Sequence, residues 1–331
     1  MKTTLVTGGT GFVGGAIVRS LHARDEQVRV LARPTSKTEA LAQLGVEIVQ
    51  GDILDQNSVE AALKGCDTLY HAAAIYELWV PDKQLLLQTE IEGTRNVMTA
   101  ARNCGVNKIV YTSTTFTIGE SRGQMGDETT LHRGYFCTAY EEAKFKAELV
   151  VQEFAQQGLP VVIVNPGGVI GPGDLKATGQ LFIDLLNRKQ PMLLPGTATY
   201  VYVDDAVNGH LLAAENGLVG QRYILCGLNI DFVELGQKVC ALAGVKPPPV
   251  GSLTVAKPIA HIGEFVSRLT KRPPLLAKDA IAMLAHGVQA DGSKAEHDLG
   301  LRYTPLEDGL RAAITWYWEQ GLLKQKPQFL T

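Results

Sequence analysis

The chain has 331 residues, 45% apolar and 20% charged, with a net charge of −3 from 31 basic and 34 acidic side chains. This is ordinary globular composition, long enough for one large domain or two joined ones, and it argues against a nucleic-acid or membrane surface built on bulk charge. Five widely spaced cysteines (Cys66, Cys104, Cys137, Cys226 and Cys240) form no CxxC pair, which argues against a disulfide framework or a metal cluster and for reduced, mostly buried thiols.

In chain order, a strand begins at Leu5-Val6 and a helix covers 12–23. Strands follow at 27–32, 46–50, 68–71, 108–113 and 161–165. Helical patterns at 58–63, 88–104 and 140–157 lie between them. Strands alternating with helices of this length imply βαβ units and a parallel sheet, and apolar residues on both strand faces imply a sheet covered on both sides. After Pro166 the rhythm changes. Glycine and proline become frequent, and helices are expected at 181–188, 204–214, 232–243 and 306–319. The stretch 253–269 is amphipathic but contains Pro258, His261 and Glu264 and lacks a dense basic face. Packing over a substrate cleft or in the core is expected there, with no membrane contact. The expected fold is α/β, a doubly wound parallel sheet with a smaller, mostly helical C-terminal substrate lobe. Its division is 1–165 and 166–331, with room for later segments to return to the first part.

The N-terminal segment lacks the apolar core and cleavage site of a secretion signal, and no apolar run reaches transmembrane length, so a cytoplasmic protein is expected.

Thr7-Gly8-Gly9-Thr10-Gly11-Phe12-Val13-Gly14 joins the first strand to the first helix. Gly8 permits the tight turn, Gly11 lets a pyrophosphate approach the backbone, and Gly14 lets helix and strand pack closely. The helix N-terminus then presents free N–H groups to phosphates. A lone glycine pattern is weak evidence, but the strand-turn-helix context makes a Rossmann-type dinucleotide site the expectation. The second strand ends Val30-Leu31-Ala32-Arg33-Pro34, with no acid to hold a ribose 2′-hydroxyl. Arg33 suits a 2′-phosphate, so NADP(H) is expected, with Lys37 a weaker assistant; the plainer reading of Arg33 is a solvated side chain.

Further motifs carry a resemblance. Gly51-Asp52-Ile53 follows the third strand, His71-Ala72-Ala73-Ala74 the fourth, and Thr112-Ser113-Thr114-Thr115 the fifth. Tyr140-Glu141-Glu142-Ala143-Lys144, then 166–174 and Val203-Asp204-Asp205, come after them. Together with the glycine turn they resemble the extended short-chain dehydrogenase/reductase family, also called the NAD(P)-dependent epimerase/dehydratase family, over essentially the whole chain. Asn165-Pro166, Ile170-Gly171-Pro172, Asp174-Leu175-Lys176 and Leu78-Trp79 resemble its dihydroflavonol-4-reductase-like branch. The resemblance implies cofactor contacts at Gly8, Thr10, Gly11, Phe12, Val13, Gly14, Arg33, Asp52 and Ile53. It implies others at Ala72, Ala73, Ala74, Thr112, Ser113, Tyr140, Lys144, Pro166, Gly167 and Val169. Asp52 and Ile53 would flank the adenine.

The YxxxK spacing puts Tyr140 and Lys144 on one helix face, one turn apart. A free tyrosine titrates near ~10, and a neighbouring ammonium favours the phenolate. Tyr140 is then the proton donor to a carbonyl oxygen as hydride arrives, or the acceptor in reverse. The resemblance gives Lys144 the nicotinamide ribose and Thr114 a hydrogen bond to the reacting oxygen, with Ser113 as the fallback. Tyr135 has Ala139 four residues on and cannot fill the role.

Two departures matter. The family usually has asparagine where this chain has Glu90, so no asparagine role carries over, and Asn96 reads as a cap or packing residue. Sugar-nucleotide members usually carry an arginine where this chain has Ala198, five residues before Val203. Tyr76, Trp79, Tyr200 and Tyr202 fit an apolar or aromatic pocket and equally ordinary packing; with the arginine missing, the expected reaction is NADPH-dependent reduction of a ketone or aldehyde to an alcohol. The alternatives are a nucleoside-diphosphate-sugar epimerase or dehydratase and a non-catalytic NADP-binding sensor. A small-molecule carbonyl or alcohol is the expected partner, with neither metal nor nucleic acid. The resemblance adds a homodimer face over 88–104 and 140–157.

Overall fold

A computed structural model describes residues 3–76, 79–270, 274 and 276–331. The first half forms β1 (Thr3–Thr7), α1 (Phe12–Ala23), β2 (Gln27–Ala32), α2 (Glu39–Gln43), β3 (Glu47–Gln50), α3 (Gln56–Leu63) and β4 (Thr68–His71). It continues with α4 (Lys83–Asn103), β5 (Lys108–Thr112), α5 (Ala139–Gln156) and β6 (Val161–Pro166). The second half adds β7 (Gly168–Ile170), α6 (Ala177–Leu186), β8 (Thr197–Tyr202), α7 (Val203–Asn216), β9 (Arg222–Leu225) and β10 (Leu228–Asp231). It ends with α8 (Phe232–Ala243), α9 (Leu253–Thr270), α10 (Lys278–His286), α11 (Ser293–Leu299) and α12 (Leu306–Glu319).

Seven strands make one parallel sheet in the order β3-β2-β1-β4-β5-β6-β9. Leu5, Val6 and the run Val161, Val162, Ile163, Val164 are all but inaccessible, because helices cover both faces. One core includes Val6, Val30, Val110 and Val164 under α1 and α7; the other includes Leu5, Leu69, Ile109 and Ile163 under α3, α4 and α5. The alternation of strand residues between these two cores is the period of two that every strand imposes. The architecture is the doubly wound Rossmann type with a helical C-terminal region.

The expected elements 12–23, 27–32, 68–71, 232–243 and 306–319 coincide with α1, β2, β4, α8 and α12. Helix α4 starts earlier than expected, at Lys83, because Asp82 caps it by accepting from the Gln84 and Leu85 N–H groups at 2.9 and 3.0 Å. Past Pro166 the helical expectation is incomplete. Strand β9 joins the large sheet, and β10-β8-β7 form a small second sheet. These strands hold only three to six residues each, too short for their period to stand out beside glycine-rich turns.

Helix α9 divides the expectation for 253–269. It buries Ala256, Ala260 and Ser267, yet exposes Val255, Ile259, Ile262, Phe265 and Val266. Among the described residues no helix is long and apolar enough to cross a membrane.

Candidate functional site

The C-terminal ends of β1 to β4 open onto a groove of about 300 Å³. It lies where the strand order reverses across β1 and β4, the position at which doubly wound sheets leave a crevice. Its walls include Gly8, Thr10, Gly11, Arg33, Asp52, Ile53, Ala72, Ala73 and Ala74, and also Ser36, Thr89 and Lys176, for which the motifs imply no contact. Asp174 fixes the approach of Lys176 by accepting from the Lys176 and Gly179 N–H groups at 2.9 and 2.7 Å.

The glycines here answer to geometry. Gly8 has φ +73°, and a Cβ on it would lie 2.6 Å from the Ala72 carbonyl. A Cβ on Gly14 would lie 2.3 Å from the Gly8 carbonyl oxygen. Gly11 caps α1 without a side-chain hydrogen bond, so the first-turn N–H groups stay available to an anion. Gly8→Ala is expected to cost at least ~1–2 kcal/mol from its left-handed backbone alone and to weaken nucleotide binding. Thermal melting with and without nucleotide checks this; an unchanged melt and affinity would remove Gly8 from the turn's requirements.

Phe12, Val13 and Val169 pack against the core. Gly167 donates its N–H to the Leu225 carbonyl, and Pro166 lies buried at the end of β6. The side chains of Thr112 and Ser113 find partners within the protein. The Thr112 hydroxyl sits 3.0 Å from His210 Nε2, and the Ser113 hydroxyl donates to Glu148 Oε2 at 2.5 Å. The buried Glu148 carboxylate demands donors, and Ser113 supplies one.

Tyr140 and Lys144 occupy the first two turns of α5, which Thr138 caps by accepting from the Glu141 N–H at 3.0 Å. Tyr140 is 7% exposed. Tyr76 and Phe116 stand edge-on to its ring at 5.3 and 6.2 Å between centroids. Thr114 precedes Phe116 by two residues, and its Oγ1 accepts from the Phe116 N–H at 3.4 Å. The 3₁₀ turn Thr115–Thr117 thus joins the expected Thr114 region to the wall beside Tyr140.

The Lys144 ammonium, 1% exposed, donates to the Tyr111 hydroxyl at 3.1 Å and the Thr112 carbonyl at 3.0 Å. Burial works to lower its pKa, but Tyr111, Glu90 and Tyr140 outweigh burial and hold it above its usual value. Burial pushes the Tyr140 phenol well above its usual value, against the pull of Lys144. Burial also keeps His71 neutral, lowered to about 3, with Lys144 adding to the effect. Its Nδ1 lies 2.7 Å from the Thr7 hydroxyl.

Glu90 stands where the family motif implies an asparagine. In the fold it is 2% exposed, its Oε1 accepts the Ile75 N–H at 2.6 Å, and its Oε2 lies 3.6 Å from Lys144 Nζ. Asn96 instead donates to the Ile53 carbonyl at 3.0 Å, a packing role. Ala198 pairs with Ile230 in the small sheet. Of the expected aromatic pocket, Tyr76 stands beside Tyr140, and Tyr200 is buried with its ionisation opposed by burial and by Tyr76. Tyr202 packs against Gly309, Trp79 is half-buried, and Leu78 lies outside the described residues.

The chain matches the model of the "NAD dependent epimerase/dehydratase family" over residues 4–226. A protein of Synechocystis sp. provisionally named dihydroflavonol 4-reductase is 35% identical, over 96% of this chain and 95% of its own. The 3 beta-hydroxysteroid dehydrogenase/Delta 5-->4-isomerase of Mycobacterium tuberculosis is 32% identical, over 95% of this chain and 90% of its own. The crystal structure of gox2253 is 37% identical and superposes with a TM-score of 0.86, covering 98% of this chain and 100% of that one.

Proposed function

Because the chain belongs to the NAD dependent epimerase/dehydratase family, whose members are NAD(P)-dependent enzymes, we propose that it uses NADP(H) to reduce a ketone or aldehyde to an alcohol. The observation that carries this reading is Tyr140, buried one helical turn from the Lys144 ammonium and walled by Tyr76 and Phe116. An apolar wall beside a proton donor suits a carbonyl compound better than a diphosphate, and Ala198 offers no cation for one.

The groove fits the cofactor. Gly8 and Gly11 leave room for a pyrophosphate, the start of α1 offers its N–H groups, and Arg33 and Lys176 supply positive charge. NADPH, when bound, supplies the hydride. Tyr140 gives its phenolic proton to the carbonyl oxygen as that oxygen gains negative charge, and Thr114 steadies the same oxygen through its hydroxyl. Lys144 stays protonated beside Tyr140 and favours the phenolate left behind. Tyr76 and Phe116 exclude water from the phenol. The two exposed faces of α4 and α5 are the proposed homodimer contact, and the cytoplasm the proposed location.

The test is a fluorescence titration with NADPH and with NADH, followed by aromatic and aliphatic carbonyls while reduced-nicotinamide absorbance is read. Tight NADPH binding with net oxidation supports the reading. Tight binding without oxidation of any carbonyl would transfer it to chemistry that regenerates its own cofactor, with sugar nucleotides the next substrates to try. Failure to bind either nucleotide would end both. Arg33→Ser is expected to weaken NADPH about 10-fold or more while leaving NADH nearly unchanged, the value of one lost charge-assisted phosphate contact. Equal weakening of both would show that Arg33 does not read the 2′-phosphate.

A further inference from the structure

We propose that Glu90 is a positioning residue that keeps Tyr140 protonated and so suits the enzyme to proton donation; this rests on the reading of Tyr140 as the general acid. Glu90 sits on α4, buried to 2% exposure, between two parts of the site. Through Oε1 it holds the Ile75 N–H at 2.6 Å, and Ile75 is part of the groove wall next to Tyr76, whose ring meets Tyr140. Through Oε2 it faces Lys144 Nζ at 3.6 Å.

A buried carboxylate here has a definite electrostatic sense. Lys144 favours the Tyr140 phenolate; a negative charge paired with Lys144 offsets that help and itself opposes a second negative charge nearby. The groups facing this centre come from four elements. Lys144 and Tyr140 come from α5, Glu90 from α4, Tyr111 from β5, and Tyr76 and His71 from β4 and the segment after it. Glu148, also on α5, acts on Tyr111. Besides burial, Tyr76, Glu90 and Tyr111 all push the Tyr140 phenol upward, and Lys144 pulls it down. Tyr76 and Tyr111 are phenols, neutral near pH 7, so Glu90 is the carboxyl group of this set. A neutral amide at this position would leave the field of Lys144 undivided.

Glu90→Gln keeps an acceptor for the Ile75 N–H and removes the charge. Lys144 retains Tyr111 and Thr112 as acceptors and stays protonated. The experiment is a pH titration of tyrosinate absorbance on protein saturated with oxidised nicotinamide nucleotide, NADP⁺ or whichever of the pair binds, with the Tyr140→Phe signal subtracted. The Tyr140 midpoint in Glu90→Gln is expected to fall by about one pH unit, a tenfold change in phenolate fraction at fixed pH. Glu90→Asp, which keeps the charge, is expected to hold the parent midpoint. An unmoved or raised midpoint in Glu90→Gln would overturn the proposal, even if its melting temperature drops, since a merely structural role would move only the latter. If Glu90→Gln does not fold, Glu90→Asn is read in the same way. Because the titration needs no substrate, it stands apart from the carbonyl assay. Absent carbonyl turnover sinks the reductase reading, whereas an unmoved midpoint sinks only the role of Glu90.

Discussion

Tyr140→Phe is expected to lower kcat by about 10²–10⁴-fold, the usual contribution of a positioned proton donor, with nucleotide affinity changed by no more than about threefold. The substitution removes one oxygen and keeps the ring. The edge-on contacts of that ring with Tyr76 and Phe116 therefore survive, as does its burial. Lys144 keeps Tyr111 and the Thr112 carbonyl and has no reason to move. What disappears is the proton delivered to the substrate oxygen as charge builds there. Steady-state kinetics on any carbonyl substrate found in the nucleotide assay, together with a nucleotide titration of the variant, measures both quantities. A variant within about threefold of the parent kcat would remove Tyr140 from the chemistry and with it the main support for the proposed mechanism.

Glu148→Ala is expected to destabilise the protein by about 3–5 kcal/mol, the range for removing one member of a buried ion pair. Glu148, 1% exposed, accepts from the Ser113 hydroxyl at 2.5 Å, the Thr117 hydroxyl at 2.7 Å and Asn165 Nδ2 at 2.9 Å. Arg222 reaches its other oxygen at 3.3 Å. One carboxylate thus joins α5 to the end of β5, to the 3₁₀ turn, to β6 and to β9. Its loss leaves a largely buried guanidinium and three donors without their shared acceptor. Asn165 also donates to the Thr114 carbonyl at 3.2 Å, so the turn that carries Thr114 loosens too and kcat falls along with stability. Glu148→Gln keeps the shape and should cost less. Urea unfolding of the three proteins decides the matter. A loss below about 1 kcal/mol for Glu148→Ala would mean that the carboxylate is dispensable and that water replaces it.

How much of this was legible beforehand differs residue by residue. The glycine turn was readable because its demands are local. A left-handed φ at Gly8 and the close approach of Gly14 to the Gly8 carbonyl involve residues within one turn of each other. The stripe Tyr140, Lys144 and Glu148 follows from the four-residue step of a helix, yet only its first two members belong to a sequence motif. A glutamate on a helix reads as solvated, and nothing local distinguishes Glu148 from Glu142, which pairs with Lys146 and is far less buried. Lys176 reaches the groove from a loop remote in sequence, and no spacing announces that arrival. The small sheet escaped because its strands borrow their stability from pairing partners and carry too few residues to show a period.

The sequence by itself determined the doubly wound sheet, the nucleotide turn and the Tyr140-Lys144 pair, since helix and strand periods and backbone steric limits act over a few residues. Only the tertiary structure decided where the buried charges went. Glu90 met Lys144, and Glu148 met Arg222 and Ser113, because a carboxylate removed from water must find donors wherever the packed chain brings them.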